Sequence, residues 1–137
     1  MDAVQVSTEP DPLAPYRISQ AFRAGDLVIT SGQAAIDRDG NLVGIGDFAA
    51  QAEQVFANLA EVLEAGGSSL AQVVKVTIYL TDMARFPDVV ALRERYFTPP
   101  YPADTIVEVK ALALPELEIE IEATALARGT TRIAGQP

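Results

Sequence analysis

The sequence predicts an α+β domain: one mixed β-sheet with two helices packed on a single face. Apolar residues recur at helical spacing in only two stretches. Several short runs instead alternate apolar with polar residues or consist of β-branched residues. Along the chain the elements fall in the order β-β-β-α-β-α-β-β, which fits helices and strands sharing one core. A length of 137 residues argues for a single domain. The expected layout is an extended lead-in over 1–15, the α+β domain over 16–127 and a flexible tail over 128–137.

Each element has its own justification. Prolines 10, 12 and 15 keep the first fifteen residues out of a helix. The segment 16–22, YRISQAF, alternates Tyr16, Ile18 and Phe22 against Arg17 and Ser19, the pattern of a half-wet strand. Gly25 and Asp26 turn the chain into LVIT (27–30), a short apolar run expected to be a buried strand, which Ser31-Gly32-Gln33 ends. Asp39-Gly40 between two short apolar pieces is a hairpin signal.

The first helix is predicted to start after Asp47, an N-cap, and to end at Gly66-Gly67. Phe48, Ala52, Val55, Phe56, Leu59 and Leu63 form its apolar stripe, with Gln51, Glu53, Gln54, Glu61 and Glu64 on the wet side. VVKVTIYL (73–80) is a strand with at least one buried face, Val74, Val76, Ile78 and Leu80 alternating with Val73, Lys75, Thr77 and Tyr79. Asp82 and Pro87 open a second helix over roughly 84–97, and the TPPYP run breaks it. Two strands, 104–110 and 117–126, follow as an expected antiparallel pair. The last has strict period two, four glutamates against Leu117, Ile119, Ile121 and Ala123. Its wet side and the half-apolar side of 73–80 leave a sheet face uncovered by the helices, so a homo-oligomer is expected.

Composition narrows the chemistry. There is no histidine and no cysteine, which removes Ser-His-Asp and Cys-His catalysis and every His- or Cys-ligated metal site. No closely spaced Asp-rich loop offers a hard-ion site, so no metal and no cofactor is expected. The net charge of −9, from 19 acidic and 10 basic residues, disfavours nucleic acid. No run reaches the ~18 apolar residues of a membrane span, and the first residues lack the pattern of a secretory leader. A cytoplasmic protein without membrane partners is the expectation.

The residues left to carry chemistry are few, and each has two readings. Glu120 is either one more solvent-facing glutamate or a carboxylate at a subunit seam that orients or deprotonates water, which needs partial burial. Asp104 either bonds the backbone of Thr105 or Ile106 at its strand entry or forms a second carboxylate close to Glu120, if 104–110 and 117–126 pair. Ser31-Gly32 either lets the chain leave a buried strand or offers backbone N–H groups to a carbonyl or carboxylate. Tyr16 is a core-edge aromatic or a phenol at a pocket rim.

As a set, APYRISQAF, LVITSGQ, EAGGSSLAQVVKVTIYLTD and YPADTIVEV…LEIEIEATA resemble the Rid family, also called the YjgF family, over nearly all of residues 14–127. The resemblance implies a chorismate mutase-like fold and a homotrimer with small-molecule clefts between subunits. It also implies hydrolysis of reactive imines and enamines, a deaminase-type chemistry, with Glu120 holding the attacking water and Tyr16, Ser31 and Gly32 lining the cleft. The family's best-known type reads Pro-Ala-Arg-Ser where this chain has PADT, so Asp104, followed by Thr105 as a further binding candidate, stands where an arginine clamps the substrate carboxylate. That reversal of charge points to a neutral or cationic substrate rather than a 2-imino acid, with Asp104 as a second catalytic group. A trimer that binds a metabolite without turning it over, or that serves as an interaction module, is the alternative reading.

Overall fold

The computed structural model describes residues 1–136. Its core is a six-stranded sheet built from β1 (Ala3–Val6), β2 (Ala21–Ala24), β3 (Leu27–Thr30), β4 (Val73–Leu80), β5 (Ala103–Glu108) and β6 (Ile119–Leu126). Two helices, α1 (Phe48–Ala65) and α2 (Phe86–Tyr96), lie on one face. The strands run side by side in the order β1-β2-β3-β6-β4-β5. All neighbours are antiparallel except β4 and β5, which run parallel with α2 as the crossover between them.

This order corrects the expected pairing of the last two strands. β4 sits between β5 and β6, with Val76 facing Asp104 on one side and Ala123 on the other. The ten residues between β5 and β6 carry the chain past β4 rather than turning it back as a hairpin. The N-terminal segment also differs from a plain lead-in, because Ala3–Val6 pairs with β2 as an edge strand. Conversely, the strand expected over 16–22 begins only at Ala21. Pro15 opens a single 3-10 turn over Ala14–Tyr16, and Arg17 follows it in the left-handed region at φ 62°.

The helices form where the spacing places them. Asp47 caps α1 by accepting a hydrogen bond from the Ala50 N–H at 3.1 Å. At the other end the Ser68 N–H returns to the Leu63 carbonyl at 2.8 Å. The α1 stripe of Phe48, Ala52, Val55, Phe56, Leu59, Val62 and Leu63 is buried against Val28, Ile78, Leu80, Ile119 and Ile121 of the sheet. Gly66 lets the helix end settle on β3, since a methyl there would come within 2.9 Å of Val28 Cγ1. Tyr96 of α2 stacks on Phe56 at 4.1 Å, and Phe97 meets the same ring edge-on at 5.7 Å, so the two helices share one aromatic joint.

Gln51 departs from its expected place on the wet side of α1. It is 1% exposed. Its amide nitrogen donates to the Gly44 and Glu116 carbonyls at 3.1 and 2.9 Å, and its oxygen accepts from the Glu118 N–H at 2.8 Å. A buried amide with its bonds made costs little, and here it bolts the helix to the approach of β6.

Among the described residues the opposite face of the sheet carries no helix. LVIT is therefore half-buried rather than buried: Val28 and Thr30 face α1, while Leu27 and Ile29 are exposed. A register shift between Val73 and Lys75 similarly puts Val73, not Val74, in the core. Among the described residues no helix is long and apolar enough to cross a membrane.

Candidate functional site

Strand β6 delivers its glutamates to the open face. Ile119, Ile121, Ala123 and Ala125 turn to the core, so Glu120 and Glu122 turn away from it. The Ser31–Gln33 segment runs past them. The Gln33 N–H donates to the Ile121 carbonyl at 2.8 Å and the Ile121 N–H returns to Gln33 at 3.0 Å, clamping the segment against β6. This clamp brings Gly32 directly under Glu120. A methyl on Gly32 would overlap the Glu120 carboxylate oxygen and lie 2.8 Å from its carbon, so the carboxylate sits in space that a side chain would fill. The Gly32 N–H makes no hydrogen bond among the described residues.

An open pocket of about 600 Å³ forms around this pair. Tyr16 and Ile18 come from the N-terminal loop, Ser31, Gly32 and Gln33 from the end of β3, Leu114 and Leu117 from the approach to β6, and Glu120 and Glu122 from β6 itself. Tyr16 stands at the rim, 63% exposed. The Ser31 hydroxyl donates to the Ser19 carbonyl at 2.5 Å, which ties the N-terminal loop to the pocket and leaves the oxygen as an acceptor. Among the described residues two carboxylates and no lysine or arginine line the pocket.

The two carboxylates are held differently. Glu122 accepts the phenol proton of Tyr79 at 2.5 Å. Tyr79 is also the cross-strand neighbour of Glu120. Its phenol is pushed above the usual tyrosine range, first by that hydrogen bond and then by burial and the two glutamate charges. Among the described residues Glu120 accepts no hydrogen bond from a side chain. Burial, followed by repulsion from Glu122, raises its carboxyl above the ordinary value. An unpaired carboxyl raised in this way, beside a free backbone N–H, suits proton transfer to and from water.

Tyr16, Ser31, Gly32 and Glu120 thus converge. Asp104 and Thr105 do not. Asp104 lies in register with Val76, whose side chain is buried on the helix side, so it leaves the sheet on the face opposite Glu120. There Arg93 of α2 grips it through Nε and Nη2 at 2.9 and 3.0 Å, and the pair is only 23% and 18% exposed. Asp104 is therefore neither a strand-entry cap nor a second carboxylate beside Glu120, and its charge is matched within its own chain. Thr105 shares the open face, but two strands from β6, and accepts a hydrogen bond from Lys75 Nζ at 2.7 Å.

Sequence reasoning missed Tyr79 and Glu122. The signal was present in the alternation of 73–80 and 117–126, but only the strand order shows that these two runs are neighbours. Arg93 belongs to the short stretch RERY (93–96), which carries no motif that would single it out. Among the described residues no group of three or more Asp or Glu converges as a metal-binding set.

Comparison with known proteins agrees with this architecture. The Endoribonuclease L-PSP family matches residues 6–127. Protein HMF1 of Saccharomyces cerevisiae is 40% identical over 123 residues, 90% of this chain and 94% of that protein. The 2-iminobutanoate/2-iminopropanoate deaminase of Dermatophagoides farinae is 34% identical over 113 residues, 82% of this chain and 86% of that one. A solved Rid family protein from Yersinia pestis, YyfA, superposes with a TM-score of 0.84 at 32% identity, covering 91% of this chain and 99% of that chain.

Proposed function

The chain belongs to the Rid family, the Endoribonuclease L-PSP family of the sequence match, and on that premise we propose that its open-face pocket hydrolyses a small imine or enamine that is neutral or cationic. The observation that carries this reading is Glu120: partly buried, unpaired, raised in proton affinity and laid on Gly32. Relatives of this chain include a protein named for imine deamination, which supports the reaction class.

In the proposed reaction Glu120 takes a proton from water as its oxygen bonds to the C=N carbon, giving a carbinolamine. Glu120 then returns the proton to nitrogen, the C–N bond breaks as the carbinolamine hydroxyl passes its own proton through Glu120 to the departing ammonia, and a protonated imine plus water has become a carbonyl plus ammonium. The Gly32 N–H faces developing negative charge on oxygen. Tyr79 holds Glu122 through its hydrogen bond, so Glu120 is the pocket carboxylate left without a side-chain donor among the described residues.

The preference for a neutral or cationic substrate rests on the pocket's two carboxylates and absent cations. It no longer rests on Asp104, whose charge Arg93 matches. The exposed Phe22 and Ile29 on the uncovered sheet face, 41% and 46% exposed, support assembly of copies of this chain, as a homotrimer, with the pocket finished at the seam.

The test is ammonia release from imines generated in situ, one from a simple alkylamine and one from 2-aminobutanoate. Turnover of the uncharged imine, reduced at least about 10²-fold in Glu120→Gln, is the expected result. Equal turnover by Glu120→Gln sinks the mechanism, and a preference for 2-iminobutanoate sinks the substrate class.

A further inference from the structure

Tyr79 touches no reacting atom in the proposed reaction, yet it stands against both pocket carboxylates. It lies on β4 directly across from Glu120 in the antiparallel register, while Thr77 lies across from Glu122. The Tyr79 hydroxyl passes over its own partner and donates to Glu122 Oε1 at 2.5 Å. A tyrosine facing one glutamate thus holds the other, on the diagonal.

Glu120 and Glu122 leave β6 on the same face and line one pocket, about 6–7 Å apart along the strand. Glutamate side chains are flexible, so two that start this close can swing together. Carboxylates that meet share protons, and neither then titrates by itself. A phenol has few rotatable bonds, so the Tyr79 hydroxyl is a firm anchor for Glu122. Among the described residues Glu122 makes no other side-chain hydrogen bond and no ion pair.

The other titratable groups nearby are few. Tyr16 reaches the rim from the N-terminal loop, and Ser31, Gly32, Gln33, Leu114 and Leu117 bring no charge. On β5 the neighbour of Tyr79 is Val107, and Glu108 accepts from the Met83 N–H. Glu118 is turned to Gln51. Lys75, further along β4, donates to Thr105. A freed Glu122 therefore has two destinations, Glu120 and Lys75.

Resting on the reading of Glu120 as the pocket's acid, we propose that Tyr79 is a positioning residue. Its phenol holds the Glu122 carboxylate apart from Glu120, so that the acid takes and releases its proton alone rather than as half of a pair. Glu122 is then a fixed charge beside the acid and not a rival for its proton. The raised proton affinity of Glu120, caused by burial first and the Glu122 charge second, agrees with this arrangement.

An NMR titration of glutamate carboxyl carbons in the isotopically labelled full-length protein tests the role, with Glu120→Gln identifying the Glu120 signal. Glu120 of the natural chain is expected to titrate in one step. In Tyr79→Phe, which loses only the hydroxyl, its curve is expected to split into two steps. In Tyr79→Phe/Glu122→Gln it is expected to return to one, a rescue that a merely structural hydroxyl would not give. With the uncharged imine, kcat is expected to fall about tenfold in Tyr79→Phe, a fraction of what proton transfer contributes, and to recover in the double variant. KM is expected to stay the same. A single step in Tyr79→Phe, as when Glu122 turns to Lys75, overturns the proposal, and so does a split that persists in the double variant. The titration needs no substrate, so a natural chain that hydrolyses no imine defeats the hydrolytic reading and leaves this test standing.

Discussion

On the helix-covered side of the sheet the Asp104 carboxylate is matched by an arginine of the same chain, whereas on the open side Glu120 and Glu122 share a pocket that no lysine or arginine lines among the described residues. Asp104 and Glu120 show the contrast. Asp104 lies under α2, and a bidentate arginine neutralises it. Glu120 is partly buried as well, yet among the described residues no cation and no side-chain donor pairs with it, and another carboxylate stands two residues along the strand. The apolar residues divide the same way. Phe56 touches two aromatic partners in a dry joint, while Ile29 faces outward with no layer above it. The packed core lies on one face and the unpaired carboxylate on the other, a separation that lets a pocket keep an unfavourable charge arrangement without loosening the core.

The sharpest way to break this contrast is a pair of truncations. Phe56→Ala is expected to cost about 3–5 kcal/mol, and Ile29→Ala only about 0.5 kcal/mol in dilute, dissociated protein. Denaturant titration reads both. Comparable costs would mean that the two faces are not different in kind, while a concentration-dependent cost for Ile29→Ala would identify the open face as a subunit contact.

Gly32→Ala comes next. It is expected to displace the Glu120 carboxylate and lower turnover about 10²-fold with little change in the melting temperature. A variant that melts early but turns over normally would make Gly32 a structural residue only. Smaller again is Arg93→Ala, which leaves Asp104 poorly solvated and unpaired. A loss of about 1–3 kcal/mol is expected, recovered in part by Asp104→Ala in the double variant. Additive losses would show that the ion pair contributes nothing.

The smallest effect is in pH. Because the folded chain raises the Glu120 pKa, it holds more protons than the unfolded chain between the ordinary carboxylate value and the raised one. Stability from this residue therefore falls as pH rises through that window, opposite to a salt-bridged carboxylate. Glu120→Gln is expected to flatten the decline in a melting-temperature series. An unchanged slope would place the charge strain elsewhere.

Much of the fold was legible because it is local. Asp47 at its cap, the β4 bounds of Val73 and Leu80, and the alternation that turns Glu120 and Glu122 outward all depend on near neighbours in the chain. Strand order does not. Nothing within 104–126 says that β4 will insert between its two strands, and that insertion sends Asp104 to the far face and makes Tyr79 the neighbour of Glu120. Gln51 fails for a related reason: an amide at a polar-looking position becomes a core residue once distant carbonyls are present to satisfy it. Of the pocket, Tyr16, Ser31, Gly32 and Glu120 were reached through a family resemblance, since their spacing alone does not join them.

The contact between Gly32 and Glu120 also constrains how such a chain can change over generations. The acid occupies the volume a methyl group would need, so a side chain gained at 32 pushes the acid at 120 out of its place. A lineage that gains a side chain at 32 loses the use of the acid where it stands, and a lineage that has lost the acid is released to fill the space. Sequences that keep a glycine at one position are then expected to keep the acid at the other, and the two should be lost together.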